Sequence, residues 1–293
     1  ERIKETVLHV LKENAAKSSN THCCMAGGLF LNCDINRAVQ DSGIYESYFI
    51  PPFASDTGGA IGAALYAAYG LGNEERKKMI SGFSPFVGPS YSDEMIKEAL
   101  QKSQLEYEYT KTPWVDASQA IKDNLIVGWF QGAVEAGPRA LGNRSFIANP
   151  GNKDIRDILN VKIKQRESFR PFAPVVTEQE ALRCFEMVSP IPETARYMLL
   201  TSIVKEEFRE ALAGITHVDG TARLQVVRES WSPETYQLLL ELKRITGFGI
   251  SINTSFNRHE PIVCSPIDAI NTYLTTGLDM LVMGNFVLRK AQG

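Results

Sequence analysis

The feature that most constrains this chain is an apolar run that ends in arginines. Leu125-Ile126-Val127-Gly128-Trp129-Phe130-Gln131-Gly132 leads through Glu135-Ala136 into Gly137-Pro138-Arg139-Ala140-Leu141-Gly142-Asn143-Arg144-Ser145. A short apolar run closed by glycine reads as a buried strand. The fold must therefore deliver two guanidinium groups directly from the end of a core strand. Glycine and proline favour a turn there and let backbone come close to a bound group. Arginine carries five donors in a rigid fork suited to planar, multi-oxygen anions. A second basic run follows, Lys162, Lys164, Arg166 and Arg170, ending in Phe169-Arg170-Pro171-Phe172-Ala173-Pro174. Residues 137–174 hold eight lysines and arginines against three acids, in a chain of net charge −3. A basic island in an acidic protein is an anion site, or a set of salt bridges to acids elsewhere. Spacing alone leaves both open.

Composition narrows the class. With 293 residues, 44% hydrophobic and 22% charged, the chain is a soluble globular protein of one large or two ordinary domains. A pI near 5.9 argues against a broad nucleic-acid face. No apolar run approaches the ~18–20 residues that span a bilayer, and no signal peptide leads the chain. The opening Glu1-Arg2-Ile3, without methionine, suggests a piece of something longer. Cys23, Cys24, Cys33, Cys184 and Cys264 are odd in number and lack metal-ligand spacing, which fits reduced thiols in a cytoplasm. His9, His22, His217 and His259 form no HxxxH pair, so no histidine metal site is expected within this chain.

The first seventy residues alternate helix and strand. A helix over 2–16 is followed by a strand at 22–25, then by Ala26-Gly27-Gly28-Leu29-Phe30-Leu31-Asn32. A glycine pair between strand and helix frees backbone N–H groups for a nucleotide, or simply makes a tight turn. A strand at 48–50 and a Pro-Pro loop lead to Ser55-Asp56-Thr57-Gly58-Gly59-Ala60-Ile61-Gly62-Ala63-Ala64. Asp56 there is an N-cap or a hard-cation ligand. The small-residue helix behind it is expected to pack closely on something beneath. Residues 81–90, rich in Gly, Pro and Ser, form the best domain boundary.

Beyond the joint the order is mixed. Helices are expected at 91–102, 114–124, 154–163, 178–187 and 233–246, with a last one from Ser265. Strands are expected at 105–109, 125–132, 175–176, 197–204 and 249–253, with a closing hairpin at 281–288. His217-Val218-Asp219-Gly220-Thr221-Ala222-Arg223-Leu224-Gln225 puts Arg223 and Gln225 on one strand face. An arginine within a strand wants a core acid or a ligand anion. Asn253-Thr254-Ser255-Phe256-Asn257 gathers donors and acceptors at a strand end, where they can hold a small polar group or cap the turn.

Taken together, GG…N and then D-x-G-x-A-x-G-A-A resemble the second half of an actin/hexokinase-like (Kae1-like) ATPase domain. The ordered series GPRALGNRS, IKxRExFRPFAP (163–174), DGTARLQ, NTSFNxxxEPIV (253–263) and TGLDxLVMG is similar to the carboxy-terminal region of the NodU/CmcH O-carbamoyltransferase family. The likeness covers nearly the whole chain. It implies a mixed α/β fold, with residues 1–80 the end of a Kae1-like nucleotide-binding domain, 81–90 a linker and 91–293 a YrdC-like domain. The last hairpin would be free to pack back on the first domain.

It further implies that carbamoyl phosphate and ATP give carbamoyl-adenylate, whose carbamoyl group moves to the hydroxyl of a small molecule or saccharide. Arg139, Lys164, Arg170 and Arg223 match the family's catalytic cations. Arg144, Asn253 and Ser255 complete the carbamoyl phosphate contacts. Gly27, Gly28 and Asn32 match the nucleotide turn, and Asp56 matches a ligand of a divalent metal, iron or magnesium. The family's other metal ligands are histidines in an earlier half, so this chain alone is expected to bind carbamoyl phosphate but not to turn over. Ala136 and Arg258-His259 depart from the family pattern and bear on loop shape only. Homodimerisation and the identity of the acceptor stay open; membrane and nucleic-acid partners are not expected. The competing reading is a YrdC-like RNA- or nucleotide-binding module, disfavoured because Phe169 and Phe172 are expected to be buried. A sugar-kinase-like phosphotransferase would leave the second region unexplained.

Overall fold

The computed structural model describes residues 1–72, 75 and 83–290. The first region opens with helix α1 (Arg2–Ala15), then strand β1 (His22–Cys24), helix α2 (Cys33–Asp41), strand β2 (Ser47–Phe49) and helix α3 (Gly59–Tyr66). β1 and β2 pair in parallel, with His22 opposite Ser47. Helix α3 departs from expectation. None of its residues is buried, and Leu65 and Tyr66 are exposed, so its small residues pack on nothing among the described residues. The charged stretch after Gly72 and the proposed boundary at 80/81 lie outside the described residues. Residues 85–89 belong to the second region: Phe86 bridges to Glu135, and Gly88 N–H donates to Val134 O.

The second region holds α4 (Asp93–Lys102), β3 (Glu108–Tyr109), α5 (Pro113–Lys122), β4 (Val127–Phe130) and β5 (Arg144–Ala148). There follow α6 (Ile155–Asp157), running on as a wide turn through Lys164, then β6 (Ala173–Val176), α7 (Glu178–Cys184), α8 (Glu193–Arg196), β7 (Leu200–Ile203) and β8 (Thr221–Val226). The chain closes with α9 (Pro233–Thr246), β9 (Ile250–Ser255), α10 (Pro266–Thr275), β10 (Met280–Met283) and β11 (Phe286–Arg289). Strand β5 was not expected, because its first residues read as part of the arginine turn. Its strand form follows from four registered pairs with β4.

These strands form one nine-stranded mixed sheet, in the order β3-β11-β10-β4-β5-β9-β6-β8-β7. The closing hairpin is thus a member of this sheet, with β10 parallel to β4 and β11 against β3. It does not pack back on the first region, because its alternating apolar residues fill both faces of the larger sheet. Alternation along β4 and β5 feeds two cores. Val127, Trp129 and Ile147 meet α5 and α9 on one face. Phe130, Phe146 and Ala148 meet α4 and α10 on the other.

Register explains why distant motifs converge. Ser145 lies opposite Ser255, Ala173 opposite Asn253, and Val175 opposite Gln225. The start of β5, the end of β9, the start of β6 and the level of Arg223 in β8 therefore share one end of the sheet. The first region docks onto that end. Met25, Ile35, Val39 and Ile50 share a core with Leu141, Ala173 and Met198. Asn36 Nδ2 donates to Leu199 O at 2.8 Å. Gly137 holds φ +107°, and a Cβ there would stand 2.4 Å from Pro52 O. The close approach at this glycine is to the first region's own backbone rather than to a bound group.

Candidate functional site

The 131–143 loop is organised by a buried carboxylate that the sequence did not single out. Glu135 Oε1 accepts the N–H groups of Leu141 at 2.6 Å and of Asn143 and Arg144 at 3.2 Å. Burial pushes its pKa up, against the pull of these donors and of Arg144. Arg144 lies in the same knot. Its guanidinium donates to Gln131 O at 2.6 Å, Asn143 O at 2.9 Å and Gly132 O at 3.2 Å, and sits 3.6 Å over the Phe130 ring. It is fully buried. Arg144 was expected to touch substrate; it is a structural group, because β5 aims it at the carbonyls of its own loop, of which only Asn143 O also accepts a backbone N–H, from Gln131.

Arg139 takes the opposite course. It leaves the loop toward a cavity of about 210 Å³, which Arg166, Arg170, Arg223, Asn253 and Ser255 also line. No carboxylate lines this cavity, and none of its four arginines is in a salt bridge among the described residues. The salt-bridge alternative is thereby removed for this set. Burial, with Arg139 nearby, lowers the Arg223 pKa to about 10, and burial with Arg170 lowers that of Arg166. Like charges held this close with no counter-ion destabilise the fold unless an anion joins them. Arg166, which the sequence marks only as part of the basic run, lines the cavity with them.

Three orphan atoms mark what the cavity accepts. The Nε–H groups of Arg139 and Arg223 are buried donors with no partner among the described residues. Asn253 is almost fully buried, and its Nδ2 donates to Ala140 O at 3.1 Å and to Gln225 Oε1 at 2.5 Å. Those two acceptors fix the amide orientation and leave Oδ1 facing the site as an unpartnered acceptor. A buried orphan costs ~1–3 kcal/mol and calls for a ligand to satisfy it.

Lys164 does not line the cavity. Its ammonium lies beneath Ser255, donating to Ser255 O at 2.5 Å, Ser255 Oγ at 3.1 Å, Asn257 O at 2.7 Å and Asn257 Oδ1 at 2.9 Å. Burial and Arg166 pull its pKa down to about 7. It positions the end of β9 rather than gripping an anion. Ser255 Oγ donates to Asn257 Oδ1 at 2.7 Å, so its proton is already engaged.

The first region supplies a neighbouring cavity of about 270 Å³, which shares Arg139 and Arg223. Asn32 lines it, and its Oδ1 caps α2 by accepting from Asp34 N–H at 3.0 Å and Ile35 N–H at 3.2 Å. Gly27 and Gly28 lie outside both cavities, with open space where a Cβ would stand. Gly27 N–H is taken by Ala54 O at 2.5 Å, which ties the glycine turn to the Asp56 loop. Asp56 is exposed in the turn before α3. Among the described residues no group of three or more His, Cys, Asp or Glu side chains could hold a metal. A metal therefore has no assembled ligand set among the described residues.

Residues 118–290 match the family described as "Carbamoyltransferase C-terminus", and residues 2–65 match "Carbamoyltransferase N-terminus". The chain belongs to the carbamoyltransferase family. The nodulation protein NolO of Bradyrhizobium diazoefficiens is 37% identical over 99% of this chain and 53% of its own length. The 3'-hydroxymethylcephem-O-carbamoyltransferase of Amycolatopsis lactamdurans is 31% identical over 100% and 53%. An uncharacterized Synechocystis protein is 39% identical over 91% and 47%. The chain spans about half the length of the curated relatives it matches. T. kodakarensis HypF overlays on 62% of this chain and 21% of its own, at TM-score 0.36 and 16% identity, too little to bear on function. No helix among the described residues is long and apolar enough to cross a membrane.

Proposed function

We propose that the smaller cavity binds carbamoyl phosphate and that the whole protein is an O-carbamoyltransferase. ATP would convert the bound donor to carbamoyl-adenylate, with phosphate and pyrophosphate released, before transfer to a hydroxyl of a small molecule or saccharide. The observation that carries the reading is the pairing of unpartnered arginine donors with one unpartnered amide acceptor in a space of about 210 Å³. Arg139, Arg170 and Arg223 would hold the phosphate, with Arg166 adding charge from the side. At an effective dielectric of ~20, a contact near 4 Å is worth roughly 4 kcal/mol before desolvation. Asn253 Oδ1 would accept from the carbamoyl NH2, fixing the plane of the reacting carbon. Family membership supports the carbamoyl chemistry; the charge of the cavity supports the phosphate. ATP is held by contacts that Gly27, Gly28 and Asn32 do not by themselves specify. Any divalent metal needs ligands beyond Asp56.

Full-length Arg139→Ala and Arg170→Ala proteins should lose carbamoyl phosphate turnover. Carbamoyl phosphate at a hundred times its dissociation constant should stabilise the wild type by ~2.7 kcal/mol, and should fail to stabilise Arg139→Ala. Turnover near the wild-type rate in both variants would remove the proposal. One observation favours a second reading. Phe169, expected to be buried, is 80% exposed next to Arg170, whereas Phe172 is buried as expected. An exposed ring beside arginines can stack on a nucleic-acid base. A gel-shift titration with RNA that shows no salt-sensitive binding would dispose of it.

A further inference from the structure

Arg166 and Arg170 reach the smaller cavity on an arm, residues 165–171, that has no helix or strand of its own. The arm is exposed except at half-buried Arg166. It opens at Gln165, whose backbone is left-handed (φ 46°, ψ 53°), a conformation that a residue with a Cβ rarely takes. Its two guanidinium groups repel: burial, and then Arg170, pulls the Arg166 pKa down. An exposed, self-repelling segment does not keep one shape without an anchor.

Asn160 is that anchor. It is fully buried, in the wide turn that follows α6. Its Nδ2 donates to Ser168 O at 3.1 Å and to Arg170 O at 3.0 Å. Its Oδ1 accepts from Arg166 Nε at 2.8 Å, and its backbone O accepts from Arg166 N–H at 3.0 Å. One further hydrogen bond among the described residues ties the arm to the rest of the protein, from Arg258 Nη2 to Gln165 Oε1 on the exposed side.

Only an amide offers two donors and an acceptor from one small planar group. All three are directed at the arm, so a single side chain fixes both of its ends. Asn160 does not line the cavity and touches no bound group there. It acts through what it holds. With Nε taken by Asn160, the Arg166 guanidinium stands 5.0 Å over the Phe172 ring, and its terminal nitrogens have no protein partner among the described residues.

We propose that Asn160 is a positioning residue for the donor: it holds the 165–171 arm so that Arg166 and Arg170 are already in place when carbamoyl phosphate arrives. The inference rests on the carbamoyl phosphate reading of this cavity. Preorganised donors bind more tightly because no ordering cost is left to meet on binding.

The test is calorimetric titration of the full-length protein with carbamoyl phosphate. In Asn160→Ala the ligand has to order two freed arginines, which should weaken it roughly five- to a hundredfold. In an Arg166→Ala background one arginine is left to order, so the same substitution should cost only about two- to tenfold. A lesion that merely loosens the fold costs the same factor in both backgrounds. Trypsin gives a second reading: cleavage after Arg166 should be faster in Asn160→Ala than in the wild type, and carbamoyl phosphate should slow it again. Asn160→Asp keeps the shape and an acceptor for Arg166 Nε but lacks both donors. It should weaken the ligand by more than about twofold, and it stands in if Asn160→Ala does not fold. An unchanged dissociation constant in the folded variant, or equal factors in the two backgrounds, overturns the assignment. If Arg139→Ala loses the ligand and Asn160→Ala keeps it, only the role of Asn160 falls. If Arg139→Ala binds it as the wild type does, the carbamoyl phosphate reading falls and takes this one with it.

Discussion

Arg139 and Arg144 stand five residues apart in one loop, and the fold treats them oppositely. Arg144 begins β5, turns under the loop and gives both terminal nitrogens to three carbonyl oxygens over an aromatic ring, leaving only its Nε–H without a partner among the described residues. Arg139 has one long contact, to Leu31 O at 3.5 Å, and a buried Nε–H with no partner. Lys164 and Arg166 repeat the contrast two residues apart, one amine sealed among four oxygens and one guanidinium lining the cavity. A cation satisfied by fixed protein oxygens contributes to the fold. A cation left with a free donor beside others of its sign is held at a cost and awaits an anion. The first kind builds the rigid wall that gives the second kind its geometry.

The sharpest way to break that contrast is Arg144→Leu. It strands the carbonyls of Gln131 and Gly132 and removes the positive charge beside the buried Glu135, so we expect a loss of ~3–5 kcal/mol in urea unfolding. A loss below ~1 kcal/mol would place Arg144 with the cavity arginines instead. Lys164 offers a graded test. Its folded pKa of about 7 lies below the ordinary lysine value. Between pH 7 and ~10 the unfolded chain therefore holds a proton that the folded chain has released, so stability rises with pH through that window and is flat below it. The slope approaches ~1.4 kcal/mol per pH unit, and Lys164→Met should abolish it. Equal slopes in wild type and variant, measured by unfolding at pH 7, 8 and 9, would show that the four oxygens keep the ammonium charged. The smallest effect is expected at Phe169, which makes no buried contact: Phe169→Ser should alter stability by less than ~0.5 kcal/mol and leave carbamoyl phosphate affinity as it was. A larger loss of affinity would bring this ring into the site.

Much of the element pattern is legible in the sequence. Helix α9, the capped α10 and strand β8 lie where periodicity and cap chemistry put them, because those signals are local. The misses share one cause. β5 looked like turn because its strand character comes from β4 and β9 on either side. Phe169 looked buried because proline neighbours resemble a packed segment, whereas only Phe172 reaches the core. Helix α3 looked like a packing helix, and its composition cannot say against what.

The sequence by itself determined that a basic island follows a core strand, that Arg223 and Gln225 share a face, and which family the motifs resemble. These follow from residue order, since alternation and charge are properties of the chain. The tertiary structure alone decided which cations are free. Whether an arginine meets a carbonyl or a cavity depends on register between strands more than a hundred residues apart, and no local pattern encodes that pairing. The same holds for Asn253: its amide was visible as a polar group at a strand end, but its unpartnered oxygen exists only because Ala140 and Gln225 claim the nitrogen.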